Sequence, residues 1–67
     1  MEEYQQRVIE ESNQLLFKMM KLTEFLESTK IRIVSEAEQD RLKRQLFAMQ
    51  KYSAILIERI EAFTGVK

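Results

Sequence analysis

Cysteine and histidine are both absent from this sequence. With them go disulfide staples, thiolate nucleophiles and the usual zinc ligand sets. Proline is absent too, and the only glycine is Gly65, so nothing interrupts a helix until the extreme C-terminus. No apolar run approaches the length of a membrane span, and the acidic start (Glu2, Glu3) does not have the form of a signal peptide. Neither sign of charge is in excess, since eleven Lys and Arg meet eleven Asp and Glu. A general DNA or RNA binder is normally basic enough to displace counterions from many phosphates, so no nucleic-acid partner is expected. G-x-S-x-G, H-E-x-x-H and a glycine-rich phosphate loop are all missing. No enzyme activity, catalytic residue, metal ligand or cofactor is therefore expected. The pairs Glu10–Glu11 and Glu58–Glu61 read as a solvated face with intrahelical ion pairs. A cytoplasmic location fits these features.

What is present reads as helix. Apolar residues make up 45% of the 67-residue chain and charged residues 33%, the balance of a folded protein. Tyr4, Val8, Leu15, Met19, Leu22 and Leu26 recur at steps of three, four or seven, which is one helix face. The pattern resumes at Leu42 and runs through Leu46, Met49, Leu56, Ile60 and Phe63, with Ser53 its one weak position. Between them Thr29 to Val34 is rich in β-branched residues and breaks the phase. Ser35-Glu36-Ala37-Glu38 has the S-x-x-E form of a capping box, in which Glu38 would reach back to the Ser35 amide. Gly65 suits a C-terminal cap. The spacing predicts an all-α fold: a single helical-hairpin domain over 1–67, with helix 3–28, turn 29–35 and helix 36–63. Stripe pairing places Leu22 near Leu42, Leu15 near Met49 and Val8 near Leu56.

A second apolar surface lies beside these stripes. Ile9, Leu16, Phe17 and Met20 flank the first, and Phe47, Ala48, Tyr52, Ala54, Ile55 and Ile57 widen the second. Burying one such large side chain is worth ~1.5–3 kcal/mol, so a lone hairpin would forfeit much of its available stability. The hairpin is expected to assemble into a homo-oligomeric helical bundle, with Ile9, Leu16, Phe17, Met20, Phe47, Ile55 and Ile57 at the interface.

The cations are unevenly spread. Residues 18–44 hold seven Lys and Arg against five Asp and Glu, a net of +2; the rest hold four against six, a net of −2. In the hairpin register Lys18 and Lys21 lie level with Arg41, Lys43 and Arg44, a cluster that oligomerisation would multiply around a symmetry axis. Such a cluster either clamps a compact polyanion or is an ordinary mixed-charge surface. Tyr4 and Tyr52 offer flat rings that either stack on a nucleobase or, for Tyr52, pack in a subunit interface. Gln45 is either an interface hydrogen-bonding group or a ligand-reading amide.

Several residues together carry a family resemblance: Arg7-Val8, the run from Leu15 to Leu26 ending K-L-T-E-F-L, the Ser35-x-x-Glu38 cap, and Gln45-x-x-x-Met49-x-x-Tyr52-x-x-Ile55-Leu56-x-x-Arg59-Ile60. Over about residues 4–63 the chain resembles the helical hairpins of small phage anti-defence proteins, the anti-CBASS and anti-Thoeris sponges. The resemblance implies a compact homo-oligomer, possibly a hexamer, that sequesters a cyclic di- or trinucleotide or a cyclic ADP-ribose type signal between subunits without cutting it. The location would then be the host cell cytoplasm. Arg41, Gln45 and Met49 best match the ligand-facing second helix, with Arg44, Lys18, Lys21, Tyr4 and Tyr52 as further candidates. Leu16 stands where a ligand-facing lysine is expected. The alternative is a small homo-oligomeric helical adaptor or regulatory protein that binds another protein through its apolar face.

Overall fold

The computed structural model describes residues 2–65, all of them helix or short connections. Helix α1 spans Glu3–Glu27, a short 3-10 helix spans Thr29–Ile33, and helix α2 spans Glu36–Thr64. The two long helices pack antiparallel, with the Tyr4 ring edge-on to the Phe63 ring at 6.3 Å at the open end.

Each boundary has a local cause. At the start of α1 the Glu2 amide donates to Gln5 Oε1 at 2.9 Å, satisfying a group that no earlier turn can reach. At its end Ser28 turns extended, and its amide and hydroxyl both donate to the Phe25 carbonyl. The β-branched Thr29–Ile33 segment then winds as a single tighter 3-10 piece. Ser35 caps α2 by accepting the Glu38 amide on its hydroxyl oxygen at 3.2 Å. The other half of the predicted capping box is absent: Glu38 turns away from the Ser35 amide and accepts from Arg41 Nε at 2.7 Å. A charged fork one turn ahead is a stronger partner for a carboxylate than a neutral amide. Gly65 ends α2 with φ of 80°, a left-handed conformation that costs a residue bearing a Cβ.

The seam between the helices is narrow. Val8, Leu15 and Leu56 are buried, and Met19, Met49, Ile60 and Phe63 pack against them. That cluster contains both the Val8–Leu56 and the Leu15–Met49 pairs of the predicted register. Ser12 and Ser53 are also buried. Ser12 continues the three-and-four spacing between Val8 and Leu15, a position the apolar pattern skips because serine is polar.

The result is a rod of 45 × 17 × 15 Å. Its radius of gyration is 15.0 Å, against about 11 Å for a compact chain of this length. Its accessible surface is 5362 Å², against about 4500 Å² for a compact monomer of this mass. One hairpin buries one seam and leaves the rest of its apolar surface open.

Candidate functional site

Helical spacing sorts the side chains beside the seam onto two flanks, and in an antiparallel pair like flanks of the two helices adjoin. One flank collects Ile9, Leu16 and Met20 of α1 with Phe47, Ala54 and Ile57 of α2. The opposite flank collects Lys18 and Lys21 of α1 with Arg41, Gln45, Tyr52 and Ile55 of α2. The apolar and the polar candidates are thus largely segregated to opposite sides of the rod. Phe17 and Arg44 lie on the outer surfaces of their helices, away from the seam.

Among the candidate ligand residues, Arg41, Gln45, Met49 and Tyr52 form a strip along successive turns of α2. Arg41 is exposed and pairs with Glu38. The Gln45 amide approaches Met49 Sδ at 3.9 Å, and Met49 itself is half-buried against the core. Tyr52 is exposed at the far end of the strip. Arg44 pairs with Asp40 at 2.9 Å. Lys18 is exposed, whereas Lys21 folds back over the Phe17 ring at 5.3 Å. Tyr4 is not brought to this group within one protomer. It lies against Phe63, and the twenty-two residues from there back to Arg41 correspond to roughly 33 Å of helix.

Electrostatically Arg41 and Arg44 are paired rather than bare, because each faces a carboxylate one turn toward the N-terminus. Such exposed intrahelical pairs are worth only ~0.2–0.5 kcal/mol, so an incoming phosphate can displace the carboxylate. Among the described residues no enclosed cavity or cleft forms, and no cluster of carboxylates gathers as a metal site. No helix is long and apolar enough to cross a membrane.

Of the expected interface residues, Leu16, Phe17, Met20, Phe47, Ile55 and Ile57 are all exposed on the protomer. Ile9 is half-buried, so part of its side chain is already covered by the hairpin itself. A second cation sits on an exposed ring at Phe47, where Lys51 Nζ lies 4.6 Å from the ring centre.

The family model described as Sequestin matches residues 2–62. The chain belongs to the Sequestin family. The chain is also 45% identical over 60 residues to a protein of Enterobacteria phage T4, "Uncharacterized 7.5 kDa protein in denB-rIIB intergenic region", with 90% of this chain and 94% of that protein covered. The resemblance to small phage proteins seen in the helical motifs is therefore a relationship along nearly the whole hairpin. No solved structure matches this chain.

A polar residue that sequence reasoning missed is Gln39. Its Nε2 donates to the Ile31 and Val34 carbonyls at 3.0 and 2.8 Å and so ties the 3-10 segment to the first turn of α2. Nothing in the helical pattern marks it, because the signal is a pair of carbonyls in the turn and not a spacing.

Proposed function

We propose that the protein is a non-enzymatic phage anti-defence protein that oligomerises and sequesters cyclic nucleotide immune signals. Membership of the Sequestin family is the observation that carries the reading, and the similarity to a phage T4 protein supports it. The geometry is consistent with sequestration between subunits. No enclosed cleft forms among the described residues of the protomer, and in this reading the ligand lies between copies. The exposed apolar flank provides a means of bringing copies together.

In this reading Arg41 contacts a phosphate, releasing Glu38, and Lys18 and Arg44 add positive charge nearby. Gln45 reads the edge of a base, Tyr52 stacks on its face, and Met49 forms the apolar floor. Tyr4 takes part only if a neighbouring copy presents it, since its own Arg41 lies at the other end of the rod. Lys21 must leave the Phe17 ring to join in.

The test is a thermal-shift screen of purified protein against cyclic di- and trinucleotides and cyclic ADP-ribose. A ligand at a hundred times its dissociation constant adds ~2.7 kcal/mol of apparent stability. Arg41→Ala should then weaken binding of the best ligand more than about tenfold, the equivalent of a charge-assisted phosphate contact of ~1.5–3 kcal/mol, with the oligomer intact. An intact oligomer that none of these ligands stabilises rules the reading out and favours the helical adaptor.

A further inference from the structure

We propose that the tip of the hairpin docks on another protein, with Ile33 entering an apolar recess whose carboxylate rim pairs with Lys30 and Arg32. The tip is separate from the apolar flank and lies beyond the Arg41 end of the polar strip, so this docking is independent of sequestration. Among the described residues Ile33 is the most exposed large apolar side chain, at 87%, where the others range from 42% to 59%. The backbone around it is braced. Ile31 and Val34 are half-buried, and the carbonyls of both accept from Gln39 Nε2. The Ile31 amide donates to the Ser28 carbonyl at 3.3 Å, and the Val34 amide to the Ile31 carbonyl at 3.1 Å. Ile33 is thus carried outward on a turn tied down on both sides. Such a turn loses little further freedom on binding, which is the condition for a small contact to contribute affinity.

Charge identifies the occupant. Residues 28–35 hold Lys30 and Arg32 and no carboxylate. Side chains three apart on a 3-10 helix stack, so Lys30 shares the outward edge of Ile33. Arg7, Arg41 and Arg44 each engage a carboxylate. Lys30 and Arg32 are exposed and engage none among the described residues. An apolar knob beside two unanswered cations complements an acidic surface with an apolar hollow. Glu27 and Glu36 stand immediately behind the turn, at the facing ends of the two helices. A flat anionic membrane would meet these two carboxylates together with the two cations, within a Debye length of ~10 Å, and gain no net attraction. A recess in a protein admits the apex alone and leaves Glu27 and Glu36 outside. The tip of a second copy would set cations against cations.

The test starts from a photo-crosslinking residue, p-benzoylphenylalanine, placed at the exposed Thr29 in protein made in enterobacterial cells. Illumination should attach it to a protein other than itself. That protein is then purified and titrated with the uncrosslinked chain by calorimetry. Ile33→Ser should weaken binding at least about tenfold, as loss of a central anchor does. Lys30→Glu with Arg32→Glu should weaken it comparably, and replacing the partner's rim carboxylates by lysine should restore binding to that double variant. Circular dichroism and light scattering on the variants should match the parent, because all three side chains are exposed. Crosslinks only to a second copy or to lipid would overturn the proposal, as would the absence of any crosslink. A crosslinked protein that binds Ile33→Ser and the charge-reversed variant as tightly as the parent would overturn it as well.

Discussion

Among the described residues Leu56 is the one large side chain with no remaining exposure, and the buried apolar cluster gathers around it. Leu56→Ala should cost ~2–5 kcal/mol by the lost transfer energy and the cavity left behind. For a chain of this size that is most or all of its stability, and urea denaturation followed by circular dichroism would read it directly. Ile33, of the same apolar class but 87% exposed at the hairpin tip, is the contrast. Ile33→Ser should change stability by no more than about 0.5 kcal/mol. A comparable loss at both positions would show that assembly buries the tip as deeply as the seam. The exposed arginines sit at the opposite limit from Leu56, engaged by carboxylates yet weakly enough to be recruited elsewhere.

At the level of elements, two polar side chains, Ser35 and Gln39, bond across the joint between the helices. Ser35→Ala removes the acceptor for the Glu38 amide and should cost about 1 kcal/mol. The absence of the reciprocal Glu38 bond means that no second capping contact compensates. Gln39→Leu keeps the bulk but leaves the Val34 carbonyl without its side-chain amide donor, while the Ile31 carbonyl keeps the Val34 amide, at a cost of ~1–3 kcal/mol where the group is shielded from water. Hydrogen exchange is the discriminating measurement, since amides of 29–35 should exchange faster while those around Leu56 stay protected. Uniform acceleration along both helices would mean that the clamp stabilises the whole hairpin and not the turn. The helical spacing revealed the cap at Ser35, but it did not reveal Gln39, because a side chain bonded to turn carbonyls leaves no periodic trace.

For the molecule as a whole, a thin rod with several exposed large apolar residues is expected to exist as an assembly. Light scattering should give a mass at least twice that of one chain, and the melting temperature should rise with protein concentration. Phe17→Asp tests how far the interface extends around the rod. If the outer face of α1 is covered, a carboxylate there breaks the assembly and removes ligand binding as a consequence. If only the Leu16–Ile57 flank is covered, the oligomer survives. A concentration-independent monomer for the parent chain would contradict both outcomes. Lys67, the natural control at the chain end, lies outside the described residues.

By itself the sequence determined the helical pattern and its seam, because helix formation is local and a three-and-four repeat needs no tertiary information to be recognised. It also determined the Gly65 cap, since glycine alone enters the left-handed conformation of such a cap without a Cβ penalty. The tertiary structure decided what depends on neighbours distant along the chain. It buried Ser12 and Ser53 in the seam and placed Tyr4 against Phe63 at the far end from Arg41. It also divided the remaining side chains into an apolar flank and a polar one. That division follows from the antiparallel packing, since only when the two helices are brought together do their like flanks adjoin and two separate spirals become two continuous faces.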